Sequence, residues 1–235
     1  MSKVLLLIRP EPQSKEFAAA VEAELPGRFR TIVAPAIRIE PVEAEIELAG
    51  VGALLFTSAN GVEQFVRLSD NRNIPAYCVG AMTTTTARRA GFDARSAEGD
   101  VETLADLVIA RHAPESGACL HVRGIHAAGK LDDRLEAAGI ETRAAALYDQ
   151  VEARIDGEAA DLLAAGNVDV LTVFSPRTAA IFQAQARAAG WQLGSTTSVS
   201  LSVAADAGLG DLALGGRRIA SHPGRAGMIR ALGEL

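Results

Sequence analysis

Short apolar runs alternate with Ala-rich amphipathic segments along most of the chain. The apolar runs predict strands at 3–8, 31–34, 52–57, 75–79, 118–122, 142–147, 169–174, 198–202 and 218–220. The amphipathic segments predict helices at 13–25, 60–69, 83–90, 101–112, 127–138, 157–165, 176–189, 204–208 and 224–233. Strands that alternate with helices in this way are typical of an α/β fold with parallel sheets.

Two stretches of similar construction stand out, LLFTSANGVEQF at 54–65 and LTVFSPRTAAIF at 171–182. Each reads as a buried strand, a tight turn and the start of a helix, with Asn60 predicted as the N-cap in the first and Ser175 in the second. Arg9 and Arg123 end two further strands at a similar offset, so two similar halves are predicted. Exposed N–H groups at helix starts favour an anion, although helix capping alone also explains these residue types.

The composition and charge of the chain argue against several classes of function. A net charge of −6 argues against non-specific nucleic-acid binding, which needs a basic surface. The apolar run before Arg9 is too short for a signal peptide or a membrane span, so a cytoplasmic protein is expected. The two cysteines, Cys78 and Cys119, lie in strand-like runs and are predicted to be buried free thiols, and no metal-ligand spacing occurs among the four histidines.

Two alternative functions stay open: a two-lobed small-molecule-binding or sensor protein, and a nucleotide-dependent transferase, for which no glycine-rich phosphate loop is found.

An ordered set of motifs resembles the bacterial uroporphyrinogen-III synthase family. The motifs are RPEP at 9–12, APAIRIEP at 34–41, FTSANGVEQF at 56–65, VGAMTTTTARRAGF at 79–92, VRG at 122–124, LYD at 147–149 and FSPRTAAIF at 174–182. The resemblance covers nearly the whole chain. It implies two flavodoxin-like parallel-sheet domains, 1–36 with 151–235 and 39–147, joined by a two-stranded linker at about 35–41 and 147–153, with a cleft between the domains.

The resemblance also implies an activity. The expected substrate is hydroxymethylbilane, a linear tetrapyrrole with eight carboxylates, which closes with loss of water and inversion of ring D to uroporphyrinogen III. No cofactor and no metal are expected, and neither is a membrane or nucleic-acid partner. A monomer is the default, with a transient contact to the enzyme that supplies hydroxymethylbilane.

The family resemblance implies site residues, one matching position at a time. Tyr148 and Thr83 match family positions with a functional Tyr and Thr, and are expected to be catalytic; a packing tyrosine and a helix N-cap are the alternatives. Arg9, Arg123 and Arg177 are candidate carboxylate clamps unless they are merely solvated. The SVAADAG stretch carries alanines where many relatives carry hydroxyl residues, so Ser202 is the expected substitute there. The full predicted binding set is Arg9, Pro10, Thr57, Ser58, Asn60, Gly61, Gly80, Ala81, Thr84, Arg123, Gly124, Ser175, Pro176, Arg177 and Ser202.

Overall fold

The computed structural model describes residues 2–126, 130–222 and 224–235. The chain divides into two compact units: unit 1 is Met1–Arg38 with Val151–Leu235, and unit 2 is Ile39–Gln150. Unit 1 is therefore assembled from two separate stretches of sequence. None of the described helices is long and apolar enough to cross a lipid bilayer.

Strands and helices alternate along both units. The strands are β1 (Lys3–Leu7), β2 (Phe29–Val33), β3 (Ile37–Pro41), β4 (Val51–Phe56), β5 (Ala76–Cys78), β6 (Ala94–Ser96), β7 (Ala118–Gly124), β8 (Thr142–Glu152), β9 (Val170–Val173), β10 (Thr197–Ser200) and β11 (Gly216–Ile219). The α-helices are α1 (Glu11–Glu24), α2 (Ala59–Leu68), α3 (Ala81–Arg89), α4 (Val101–Arg111), α5 (Lys130–Ala137), α6 (Gly157–Ala164), α7 (Pro176–Ala189), α8 (Val203–Ala207) and α9 (Arg225–Gly233). A short 3₁₀ helix covers Pro114–Ser116.

The described strands form two sheets, in the orders β11-β10-β9-β1-β2 and β3-β8-β7-β4-β5-β6. Every neighbouring pair in the first sheet is parallel. In the second sheet the strands from β8 to β6 are also parallel to their neighbours. The predicted α/β class with parallel sheets is confirmed.

The chain passes between the units through β3 and β8, which are neighbours in the second sheet. The backbone N–H of Val42 donates to the Leu147 carbonyl, and that of Ala153 donates to the Ala36 carbonyl, each at 2.9 Å. The residue numbers of the two partners run in opposite senses, so β3 and β8 are antiparallel. These strands cover much of the two stretches predicted as linkers.

Apolar residues of β4 supply both faces of the second sheet. Leu54 and Phe56 pack into one hydrophobic cluster, whereas Ala53 and Leu55 pack into another. Alternate residues of a strand point to opposite faces, and here helices cover both, so β4 reads as a continuous apolar run. The polar residues that follow β4 continue this alternation.

Three local differences from the predicted elements have simple causes. Helix α1 begins at Glu11, two residues before the predicted start, because Pro12 is accommodated in the first turn, where its missing N–H costs no helical hydrogen bond. Strand β6 was not predicted, since it has three residues and one of them is apolar. Of the helix predicted at 127–138, residues 127–129 lie outside the described residues, and α5 occupies Lys130–Ala137.

The two cysteines are buried free thiols, as predicted. Burial raises the pKa of Cys78 to about 11 and that of Cys119 to about 12. Both side chains are therefore protonated near neutral pH and serve as small core residues.

Candidate functional site

The polar strand ends of unit 2 lie along one edge of its sheet. Strands β4, β5 and β7 are parallel, so their carboxyl ends meet at that edge, where ligands of α/β proteins commonly bind. Helix α2 starts three residues after Phe56, and α3 starts three residues after Cys78. Two helix N-termini, with their N–H donors, therefore face this edge.

Tyr148 is buried beside the start of α2. The residue is only 4% exposed, and its phenol oxygen lies 2.8 Å from Ser58 Oγ. Burial raises the pKa of this phenol, although hydrogen bonds from Ser58 and the Gly124 backbone oppose the rise. The phenol is therefore protonated near neutral pH and can donate a hydrogen bond.

Gly124 is required by the position of the Tyr148 ring. A Cβ atom at Gly124 would lie 2.8 Å from Cε2 of Tyr148, which is closer than two carbon atoms can pack. The two residues are also partners in the parallel pairing of β7 with β8. A glycine at the end of β7 thus allows the tyrosine ring to lie against the strand end.

Ser58, not Asn60, caps helix α2. The Ser58 side chain accepts a hydrogen bond from the Gly61 N–H, whereas Asn60 lies within the helix and is 8% exposed. The prediction of Asn60 as N-cap was wrong because the helix already begins at Ala59. Gly61 is also buried there, and a Cβ on it would lie 3.0 Å from the Val122 carbonyl oxygen.

Helix α3 carries four consecutive threonines, and one of them differs from the other three. The hydroxyls of Thr84, Thr85 and Thr86 donate to backbone carbonyls four residues earlier, at 2.8–3.1 Å. Thr83 is buried, and its hydroxyl has no partner within the described part of the chain. Gly80, rather than Thr83, is the N-cap, and the exposed Ala81 is the first helical residue. Thr83 and Thr84 were both predicted as site residues. Because the Thr84 hydroxyl already donates to the Gly80 carbonyl, the Thr83 hydroxyl is better placed to bind a ligand.

A buried histidine that the sequence motifs did not predict as a site residue lies behind Thr57. His121 is 1% exposed, its Nε2 lies 3.4 Å from Thr57 Oγ1 and its Nδ1 lies 2.6 Å from Asp132 Oδ1. Burial lowers the His121 pKa, and Asp132 opposes that effect. The signal in the sequence was a single polar residue inside the apolar run CLHV.

In unit 1, Arg9 follows β1 and is partly buried. Its guanidinium carbon lies 4.2 Å from the centroid of the Phe174 ring, and its Nε and Nη1 atoms are buried with no hydrogen-bond partner among the described residues. Burial lowers the Arg9 pKa to about 10, against the attraction of Glu16, so the group remains charged near neutral pH. A buried charge with unsatisfied N–H groups is costly without an anion.

Ser175 follows β9, which is the parallel neighbour of β1. Its side chain accepts from the Thr178 N–H at 3.2 Å as the N-cap of α7, and Pro176 takes the first helical position. The predicted N-cap is confirmed. Arg9 and the N-terminus of α7 therefore lie on the same edge of the first sheet.

Three further predicted site residues are Ser202, Arg123 and Arg177. Ser202 is the N-cap of α8 and accepts from the Ala205 N–H at 3.2 Å. Arg123 donates from Nη1 to the Gly124 carbonyl at 3.4 Å, which directs it along its own strand. Arg177 is exposed in the first turn of α7.

Comparison with known proteins identifies the family. The family model for uroporphyrinogen-III synthase HemD matches residues 16–230. The chain belongs to the uroporphyrinogen-III synthase family. It is therefore an enzyme of tetrapyrrole biosynthesis, and its substrate is a small-molecule tetrapyrrole.

Solved structures of uroporphyrinogen-III synthases share this fold. The enzyme from Helicobacter pylori 26695 is similar over 100% of both chains, with 17% sequence identity and a TM-score of 0.67. A mutant enzyme from the extreme thermophile Thermus thermophilus is similar over 99% of this chain and 98% of its own, with 14% identity and a TM-score of 0.55. No curated protein matches the chain in sequence.

The residues that carried the family resemblance form two groups in the structure. In unit 2, Tyr148, Ser58 and Gly124 are in contact at the strand ends. In unit 1, Arg9 lies over Phe174, directly before Ser175. Within the described residues, no group of three or more His, Cys, Asp or Glu side chains could hold a metal ion.

Proposed function

We propose that this member of the uroporphyrinogen-III synthase family converts hydroxymethylbilane to uroporphyrinogen III, with Tyr148 and Thr83 at the reacting end of the substrate. Family membership supports the reaction. The observation that carries the assignment of residues is the buried, protonated phenol of Tyr148, held against Ser58 at the edge where α2 and α3 begin.

The binding role is divided between the two units. Arg9 offers a buried positive charge to one carboxylate, and the N-termini of α2, α3 and α7 offer backbone N–H groups to others. Each exposed helix end contributes only about 0.3–1 kcal/mol, so several are needed to hold an octa-anion. The proposed binding set also includes Thr57, Gly61, Gly80, Ala81, Thr84, Arg123, Gly124, Pro10, Pro176, Arg177 and Ser202.

Tyr148 assists the first bond to break. The C–O bond of the terminal hydroxymethyl group cleaves, and the hydroxyl departs as water after it gains a proton. A phenol with a raised pKa donates a hydrogen bond to that oxygen but is a weak acid, so its assistance is partial. The bound shape of the chain then directs attack to the substituted carbon of ring D, through a spiro intermediate, and positioning contributes more than acid strength.

The organisation of the chain supports closure around the substrate. We propose two domains, 1–36 with 151–235 and 39–147, whose connecting strands act as a hinge that lets both domains contribute to substrate binding. The enzyme works as a cytoplasmic monomer without a cofactor. It receives hydroxymethylbilane through a transient contact with the enzyme that makes it, because the free compound closes spontaneously to the uninverted type I isomer.

The isomer formed tests this proposal. The protein is incubated with hydroxymethylbilane generated enzymatically in the same vessel, the products are oxidised, and the porphyrin isomers are separated. We expect the type III isomer to dominate and the type I isomer to dominate in the protein-free control. Type I product at the control rate, with the tetrapyrrole still bound, would instead identify a binding protein without catalysis.

A further inference from the structure

Thr57 and Ser58 extend from the same strand but reach different partners. Ser58 Oγ lies 2.8 Å from the phenol oxygen of Tyr148, whereas Thr57 Oγ1 lies 3.4 Å from Nε2 of His121. Alternate residues of an extended strand point to opposite faces, so the end of β4 offers two hydroxyls in separate environments. The Thr57 hydroxyl and the Tyr148 phenol therefore have different hydrogen-bond partners.

The protons of the buried pair behind Thr57 can be assigned from its chemistry. A carboxylate only accepts hydrogen bonds, so at 2.6 Å from Asp132 the Nδ1 atom of His121 carries the proton. Burial, with a smaller effect from the charge of Arg123, lowers the His121 pKa more than Asp132 raises it, so the ring is neutral near neutral pH. Nε2 then has a lone pair, and the Thr57 hydroxyl donates its hydrogen to it.

This assignment restricts what Thr57 can bind. A hydroxyl has one hydrogen and two lone pairs, so once its hydrogen is directed to Nε2, only the lone pairs remain for a ligand. Lone pairs repel a carboxylate and attract an N–H donor. Thr57 is half-buried at the edge of the sheet, where a ligand can reach it.

We propose that His121, held by Asp132, is a positioning residue that makes Thr57 a hydrogen-bond acceptor for a pyrrole N–H of the substrate. This inference rests on the proposed function. A linear tetrapyrrole carries N–H groups as well as carboxylates, and Arg9 and the helix N-termini supply only donors. Thr57 then recognises the tetrapyrrole core rather than its acidic side chains.

The wild-type protein and a set of variants provide the test. His121→Phe and Thr57→Val each remove one side of the contact, and the double variant combines them. His121→Gln keeps an acceptor, because the Gln side-chain oxygen reaches the position of Nε2. His112→Phe is the matched control, since His112 is also buried and bonds the Gly117 carbonyl at 2.8 Å with no link to Thr57.

We expect His121→Phe and Thr57→Val each to raise KM for hydroxymethylbilane roughly 3- to 10-fold, the loss of one hydrogen bond. The double variant should be no worse than either single one, because the two residues act as a unit. His121→Gln should restore most of the affinity, and His112→Phe should lower thermal stability without changing KM. Additive effects in the double variant, or a Gln variant as impaired as the Phe variant, would overturn the positioning role.

Two further measurements address the chemistry itself. Long-range ¹H–¹⁵N NMR at neutral pH should find His121 neutral with its proton on Nδ1; a proton on Nε2 would overturn the inference. The KM increase in Thr57→Val should be the same at low and high salt, because a contact to a neutral N–H is not screened, and an increase that shrinks with salt would assign a carboxylate to Thr57. Absence of type III product from the wild-type protein would refute the proposed function. If the wild-type enzyme is active but the KM increases of the two single variants add in the double variant, only the role of His121 is refuted.

Discussion

Single side chains at the strand ends combine burial with unusual hydrogen bonding. Tyr148 is buried with its phenol against Ser58, and Arg9 is partly buried with two N–H groups that have no partner among the described residues. Burying a charged group without hydrogen-bond partners, as at Arg9, lowers stability unless a ligand completes the hydrogen bonds. The Arg9 arrangement is therefore expected of a residue that binds an anionic substrate.

Replacement of Tyr148 by Phe should slow turnover strongly without abolishing it. General acid assistance contributes about 10²–10⁴-fold, and because water can replace one phenolic donor we expect a loss at or below the lower end of that range. Slower catalysis leaves more substrate to close spontaneously, so the type I fraction should rise in the isomer assay.

Tyr77→Phe is the control, because Tyr77 is the other tyrosine and lies in the core of unit 2. It should leave the rate and isomer ratio unchanged. If the Tyr148→Phe protein showed the wild-type rate and pure type III product, Tyr148 would have no part in the mechanism. Complete inactivity with normal folding would show that Tyr148 contributes more to catalysis than the partial assistance proposed for it.

Replacement of Arg9 by Met should weaken substrate binding while leaving the fold intact. A hydrogen bond to a charged group contributes about 1.5–3 kcal/mol, so KM should rise about 10- to 100-fold. The Met side chain keeps contact with the Phe174 ring and removes a buried charge, so the melting temperature should stay the same or rise.

The same substitution at Arg230, which is exposed on α9, should change neither KM nor melting temperature. An Arg9→Met enzyme with unchanged KM would show that Arg9 does not contact a carboxylate.

At the scale of elements, three helices that follow parallel strands begin with a serine N-cap. Ser58, Ser175 and Ser202 cap α2, α7 and α8 respectively. A capping serine leaves other N–H groups of the first turn without an intrahelical partner, so capping and anion binding can share one helix end.

Two substitutions at Ser175 should separate capping from binding. Ser175→Ala should reduce the free energy of unfolding by about 0.5–2 kcal/mol, whereas Ser175→Gly should cost only a few tenths, since glycine is a tolerated N-cap. Both remove the hydroxyl, so if it binds substrate both should raise KM equally. Denaturant unfolding measures the free energy of unfolding, and steady-state kinetics measure KM. If KM rises only in the variant that is strongly destabilised, the hydroxyl only caps the helix.

At the scale of the whole molecule, a chain of net charge −6 must attract the octa-anion that we propose as its substrate. Binding therefore requires a locally positive surface around Arg9 and the helix N-termini. Salt screens exposed charges over about 10 Å at 0.1 M, so rising ionic strength should raise KM. Michaelis constants at low and high salt check this, with the melting temperature as control for folding, and a salt-independent KM would count against carboxylate binding.

The two connecting strands lead to a prediction about motion. The chain passes between the proposed domains through β3 and β8, so we expect ligand-free molecules to sample several angles between these domains. Small-angle X-ray scattering should then show a broader distribution of sizes without ligand than with product. One rigid shape, unchanged by product, would contradict the hinge.

The sequence alone predicted the α/β class, the parallel sheets and most strands and helices, because burial with a period of 2 or 3.6 residues is written locally in the chain. It also placed Ser175 correctly at the start of α7, since Ser-Pro is a local signal. The cap of α2 was misplaced from Ser58 to Asn60 because several polar residues in a row each satisfy the local rule. Strand β6 was missed because three residues carry too little pattern.

Only the tertiary structure decided which distant residues meet. Ser58 and Tyr148 are 90 residues apart, and Thr57 and His121 are 64 apart, so no local pattern relates them. The need for glycine at 124 depends on the ring of Tyr148 across the β7–β8 pair, and the lowered pKa of Arg9 depends on burial beside Phe174. Local periodicity determines the elements, whereas hydrogen-bond partners and pKa values arise from side chains that the packed sheet brings together.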